Sequence, residues 1–299
     1  MKSTHLILAL VVLLLLGGGA YWLSTSGGEV DFENDLPDTI DTMPVEPDGG
    51  IGDGAEPLDE LLEDQIEEVA TYQSETVIGS SVDGTAITAY HFGTGMNEIL
   101  LVTGMHGADA RNTSELGSEL VSYLGADETL VPENTRITII PVANPDGLAN
   151  NSRFNTNDVD LNRNFSCDWS ATSQWREQTV SGGSAPFSEP EAAAIRDYVA
   201  EVNLTGAIAW FAAEGKVYPS ACEGVPSVES AELAATFAAA AGYGVEAEFD
   251  AYTINGDMTN WLADMGVPAI SVLLSDRENT ELAKNQAGLT AAITFLTQE

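Results

Sequence analysis

Residues 144–165, NPDGLANNSRFNTNDVDLNRNF, bring Arg153, Arg163 and the side-chain amide of Asn162 into one polar stretch. Arginine carries its charge at every biological pH and offers a planar fork of donors that matches a carboxylate, and an amide adds a neutral donor. Together these residue types can grip an anion. The alternative is a loop braced by exposed ion pairs, each worth ~0–1 kcal/mol.

Such a grip needs an element to hold it, and the apolar run 137–142 just before it reads as a strand. Asn144-Pro145-Asp146-Gly147 then reads as a turn, with Pro145 fixing φ and Gly147 free to take positive φ. The arginines are therefore expected on a loop at the C-terminal end of a strand, where open α/β sheets bind ligands.

NPDG, Arg153 and DLNRNF together resemble the substrate loop of the zinc carboxypeptidases related to carboxypeptidase A. The similarity runs from about Glu75 to the C-terminus, through GMHGAD at 104–109, GSAPFSEPEAAAIRD at 183–197, KVYPS at 216–220 and YTINGDMTNWL at 252–262. The resemblance implies that Asn162 and Arg163 hold the terminal carboxylate of a peptide and that Arg153 polarises the scissile carbonyl. Tyr252, nine residues before Trp261, would close over the bound substrate.

The same resemblance implies a zinc site built from the His and Glu of an HxxE loop and a distant His, with the fourth position left for water. Here His106 is present, but its partner is Asp109, one methylene shorter than glutamate. Counting back from Val217 places the distant histidine at Phe211, and the glutamate that takes the water's proton aligns with Leu273, or with Leu274 if the strand carries one more residue. Of the three histidines in the chain, His5 lies in the expected N-terminal membrane segment, residues 1–23, and His91 in the strand 86–92, where it is read as structural. A positioned base contributes ~10² to 10⁴ in rate. A lost metal ligand costs more than the ~10 to 100-fold typical of its supporting partners. Zinc is thus the implied cofactor, expected here to be weakly bound or absent.

The elements on either side follow from pattern. A hairpin is expected from 77–81 and 86–92 around Asp83-Gly84, then a strand at 98–103, a helix at 114–124 and a strand at 136–142. Ser188 and Glu191 have capping-box spacing and open a helix running to about Val202, with Pro190 in its first turn. A strand at 207–211, a helix at 230–241, a strand at 267–274 and a helix at 280–297 complete the alternation, which implies an α/β sheet with helices on both faces. The resemblance makes it a mixed, mainly eight-stranded sheet.

Ten Lys and Arg against 47 Asp and Glu give 299 residues a net charge of −37, which repels phosphate backbones and excludes nucleic acid as partner. A saline habitat is another source of such acidity. Residues 6–23 are an apolar run of 18 behind Lys2, just long enough to cross a bilayer. An uncleaved anchor is expected, with a cleaved signal peptide as the alternative, and the positive-inside rule puts the rest of the chain outside the cytoplasm. Residues 24–62 read as an acidic linker, with a short acidic helix at 58–71, and 63–299 as the globular domain. The only cysteines, Cys167 and Cys222, are expected to pair in that compartment. Zinc ligation by Cys167 is the alternative, although no second Cys or His lies at ligand spacing.

The expected function is an extracytoplasmic zinc-carboxypeptidase-like domain that binds peptides with a free C-terminal carboxylate and does not hydrolyse them. Two other readings stay open. One is an active metallopeptidase with a substitute ligand such as Glu214; the other is a structural or partner-binding surface domain.

Overall fold

A computed structural model describes residues 73–298. The expected membrane segment, linker and acidic helix lie outside those residues. Among the described residues, no helix is long and apolar enough to cross a membrane.

The elements in chain order are β1 (Gln73–Ser80), β2 (Ala86–Phe92), β3 (Asn97–Val102), α1 (Arg111–Ala126), β4 (Thr135–Ile140), α2 (Pro145–Ala149), β5 (Thr172–Trp175) and β6 (Gln178–Ser181). Then come α3 (Pro190–Glu201), β7 (Asn203–Ala212), β8 (Lys216–Pro219), α4 (Val228–Ala241), β9 (Gly244–Val245), α5 (Met258–Asp264), β10 (Ala269–Leu274) and α6 (Leu282–Leu296). Eight strands form one sheet in the order β1-β2-β4-β3-β7-β10-β8-β9. Its centre, β4-β3-β7-β10, is parallel throughout, and β2 and β8 join it antiparallel, so the sheet is mixed as expected.

A parallel centre must be covered on both faces, and its strands are accordingly apolar nearly throughout. Along β3, Ile99 and Leu101 face one core while Leu100 and Val102 face the other. The first core is closed by Leu116, Leu120 and Leu124 of α1, Leu233 and Phe237 of α4, and Leu289 and Ile293 of α6. The second is closed by Ile195 and Val199 of α3 and by Met258, Trp261 and Leu262 of α5. Leu161 and Phe165 bury themselves in that second core and anchor the arginine loop to the sheet.

Two local expectations are corrected. Asn144-Pro145-Asp146-Gly147 is the start of α2 rather than an open turn: the Asn144 side chain accepts from the Gly147 N–H at 2.8 Å, and Pro145 takes the first helical position. Gly147 is needed for space, since a Cβ there would meet the Phe154 carbonyl oxygen at 2.7 Å. The Ser188–Glu191 capping box does not form, because tertiary partners claim both side chains. Ser188 Oγ accepts from the Asn164 amide at 3.1 Å and donates to its neighbour Glu189 at 2.8 Å, and buried Glu191 accepts from the Val82 N–H at 3.3 Å and the Asn155 amide at 3.2 Å.

Candidate functional site

The four parallel strands end on one side of the molecule and deliver the site residues there. His106 follows β3 and Asp109 sits in the 3₁₀ turn Gly107–Ala110. The arginine loop follows β4, Phe211 lies near the end of β7 and Leu273 near the end of β10. His106, Arg153, Asn162, Arg163, Phe211, Glu214, Tyr252 and Leu273 all line one cavity of about 1020 Å³. Leu274 instead points into the opposite core, fully buried, as strand alternation requires of the next residue.

Arg153 is buried and spends its donors inside the protein. Its Nε donates to Asp160 at 2.9 Å, Nη1 to Asp109 at 3.3 Å and Nη2 to Nε2 of His106 at 2.8 Å. Trp175 of the β5–β6 hairpin covers the guanidinium with its ring centre 4.4 Å away. An arginine cannot accept, so Nε2 of His106 must, and the ring's hydrogen belongs on Nδ1, which is buried without a partner. Burial, and then the Arg153 charge, hold the His106 imidazole well below its ordinary range, so it is neutral. Burial alone would raise the Asp160 carboxyl, but Arg153, His106 and Arg163 together hold it at about 2.

Arg163 differs from Arg153. It is 1% exposed, donates only to the carbonyls of Asn162 at 3.0 Å and Gln174 at 3.3 Å, and its Nε has no acceptor. Among the described residues no carboxylate lies within 4.0 Å of it. Its neighbour Asn162 donates to Asp257 at 2.6 Å and accepts from the Met258 N–H at 3.1 Å, which ties the arginine loop to the start of α5. Gly256 makes that docking possible: it takes φ of +65°, and a Cβ there would strike the Arg163 carbonyl oxygen at 2.2 Å. The docking carries Tyr252 to 5.8 Å from the Arg163 guanidinium.

Cys167 and Cys222 are joined by a disulfide with Cα atoms 5.6 Å apart, which ties the end of the arginine loop to the segment after β8. His91 sits in β2 between Thr76 at 2.8 Å and Thr138 at 2.9 Å, outside the cavity. Glu214 lines the cavity, but its carboxylate accepts the Tyr218 hydroxyl at 2.5 Å.

A zinc site of the family type needs three converging protein donors. Nδ1 of His106 has no partner but carries the ring hydrogen while Nε2 accepts from Arg153, and the Asp109 carboxylate is contacted by two guanidiniums, Arg153 at 3.3 Å and Arg277 at 3.5 Å. Against the imidazole stands the Phe211 ring, with centroids 5.1 Å apart, in place of another donor. Among the described residues no three His, Cys, Asp or Glu side chains are placed to share a metal ion. The residues present do not fit the zinc site.

Arg277, Trp175, Asp160 and Asp257 complete the site and were missed in the sequence. Arg277 comes from the loop after β10 and donates to the Asp109 carbonyl at 3.0 Å and the Ala212 carbonyl at 3.1 Å. Trp175 is delivered by a hairpin whose Arg176-Glu177 turn puts Arg176 at φ of +55°, without the Gly or Asn that would have announced it. Asp160 and Asp257 each precede a helical turn and cap it, a signal that was legible in DVDLNR and GDMTN.

The chain is similar over 208 residues to gamma-D-glutamyl-L-diamino acid endopeptidase 1 of Lysinibacillus sphaericus, at 26% identity covering 56% of this chain and 52% of that protein. It is similar over 106 residues to murein peptide amidase A of Escherichia coli (strain K12), at 32% identity covering 32% of this chain and 41% of that protein. The chain thus spans about half or less of the length of the curated relatives it matches. The fold is shared with carboxypeptidase A from Helicoverpa armigera, with a TM-score of 0.66 and 18% identity covering 80% of this chain and 72% of that one. The zinc carboxypeptidase family model matches residues 60–290, and this chain belongs to that family.

Proposed function

We propose that this chain is an extracytoplasmic, membrane-tethered domain that binds peptides by their free C-terminal carboxylate and does not cleave them. The observation that carries the reading is Arg163: a buried guanidinium that lines a cavity, with an orphaned Nε and no carboxylate beside it among the described residues. A buried charge with no carboxylate in contact is costly even with Asp160 acting on it from farther off, and a ligand carboxylate would supply the contact. Catalysis is argued against by the donor set. Among the described residues His106 and Asp109 have no third ligand with them, and Phe211 and Leu273 occupy the positions where the resemblance implies the histidine and the base. The apolar run 6–23 and the paired cysteines support a tether outside the cytoplasm. Murein peptide amidase A and gamma-D-glutamyl-L-diamino acid endopeptidase 1 are relatives named for peptide substrates, which makes cell-wall peptides and protein C-termini the two ligand classes to compare.

Calorimetry with matched peptides ending in a free acid or an amide tests the reading. A charge-assisted contact is worth roughly 1.5 to 3 kcal/mol, so the acid should bind about 10 to 150-fold more tightly. Arg163→Ala should remove the difference, and Arg163→Lys should restore only part of it, because lysine lacks the planar fork. Equal binding of acid and amide would favour the second reading, in which the arginines only brace the loop. That reading has its own support in Arg153 and Asn162, whose donors already have partners in the fold.

A further inference from the structure

The cavity separates its uncommitted charges by depth. Its buried charges are Arg153, Arg163 and Asp257, the last taken up by Asn162, Thr259 and Asn260, with Arg277 half-buried beside them, whereas the acids Asp168, Glu177, Glu223, Glu248 and Asp250 line the same cavity from exposed positions, as does Glu214, which accepts from Tyr218. Among the described residues none of those five has a Lys, Arg or His within 4.0 Å. Among the described residues the one exposed cation lining the cavity is Arg176, which stacks over Trp175 at 5.2 Å. Acids are common on this chain, so their number at the mouth decides nothing. Their separation from a deep guanidinium that has only carbonyl partners does bear on the ligand, because Arg163 points to an anion inside while the mouth carries an excess of negative charge.

We propose that the cavity takes a peptide end of opposite polarity: a terminal carboxylate on Arg163 and an amine or guanidinium, carried by one of the residues just before the end, at the acidic mouth. The proposal rests on the carboxylate reading above and adds the class of peptide. A cleft lined by one sign of charge focuses the field at its opening and concentrates ligands of the other sign. Each exposed contact is weak, worth about 2 to 5-fold in affinity, so the preference must come from several carboxylates acting together. The two ends should also respond differently to salt. An exposed mouth is screened within a Debye length of about 3 Å at 1 M, whereas a buried pair is screened far less.

The test is calorimetry on the full, detergent-solubilised chain with four matched peptides, carrying Lys or Ala in the two positions before the last residue and ending in acid or amide. The Lys acid peptide is expected to bind about 10-fold more tightly than the Ala acid peptide at low salt, falling below about 2-fold at 1 M, while the acid-over-amide preference persists. The combined Glu177→Gln, Glu223→Gln, Glu248→Gln and Asp250→Asn variant should lose the Lys preference and keep the acid preference. A control that neutralises the exposed Glu115, Glu133, Glu201 and Glu232, none of which lines the cavity, should keep both. Equal binding of Lys and Ala peptides, or equal loss in the two combined variants, would overturn the proposal, the latter by reducing it to general surface charge. A Lys preference without an acid preference would overturn the carboxylate reading instead, and with it the assignment of polarity.

Discussion

Phe211 and Leu273 are register partners on the parallel strands β7 and β10, so the two positions where the resemblance implies a metal ligand and a base are direct neighbours in space. Both line the cavity, and the Phe211 ring packs on the imidazole of His106. Apolar side chains at both positions make one continuous wall where the resemblance implies polar chemistry.

Metal content follows from that wall. The purified chain, prepared without chelator, is expected to hold well below one zinc per molecule and to release no C-terminal amino acids from peptides. Phe211→His should raise zinc content only partly, because two guanidiniums still contact Asp109. Elemental analysis decides it, and stoichiometric zinc that disappears in His106→Ala would sink the non-catalytic reading.

The disulfide closes a loop across a sequence separation of 55 residues. On the chain-entropy account, which is itself disputed, such a crosslink is worth about 4 kcal/mol. The Cys167→Ala, Cys222→Ala double variant should therefore lower the urea midpoint markedly and weaken ligand binding, since the link joins two loops beside the cavity. An unchanged midpoint would show that the loops hold without it.

Acid should destabilise the fold in two stages. Burial and then Arg153 lower the His106 pKa well below 6.5, so the folded state resists a proton that the unfolded chain accepts; stability is full above about pH 6.5 and declines below it. His91 is also lowered, chiefly by burial, and acts in the same direction. Asp160 is held at about 2 against an ordinary 3.8, so its contribution, on the order of 2 kcal/mol, is present above about pH 4 and lost as pH falls toward 2. Urea midpoints measured from pH 8 to 3 should show both stages, and His106→Gln should flatten the upper one. A midpoint constant between pH 7 and 4.5 would contradict the buried, neutral assignment of His106.

Asp257 couples stability to the site. Its side chain accepts from Asn162 at 2.6 Å, from the Thr259 hydroxyl at 2.8 Å and from the Asn260 N–H at 2.9 Å, where it caps α5. Asp257→Ala should cost about 2 kcal/mol in urea unfolding, from the lost cap and the buried donors left unpaired. Asp257→Asn keeps a capping oxygen and should cost less. If Ala and Asn cost the same, the cap is not what the residue contributes.

The sequence by itself determined the elements whose period is strong and the residues whose type is unusual. The runs that became β2, β3, β7 and β10 are apolar because both sheet faces are covered, and α1, α4 and α6 carry stripes at helical spacing, so local pattern was enough to find them. The chemistry of Arg153, Asn162 and Arg163, the pairing of two lone cysteines, and the absence of a histidine at 211 or an acid at 273 are matters of residue type, and those are legible without coordinates.

What tertiary structure decided is which donors are free. Arg153 and Arg163 are the same residue ten positions apart in one loop, yet the fold surrounds the first with Asp109, Asp160, His106 and Trp175 and leaves the second with two carbonyls and an orphaned Nε. Those partners come from the turn after β3, from the same loop and from a hairpin with no turn signal, and spacing along the chain carries no information about them. The failed capping box at Ser188 and Glu191 has a related cause: a local motif yields when its side chains are taken up elsewhere, Ser188 by its neighbour Glu189 and by Asn164, Glu191 by Val82 and Asn155. Charge and hydrogen-bond capacity are properties of a residue, but whether they are spent inside the protein or left for a ligand depends on what the fold brings within about 3 Å.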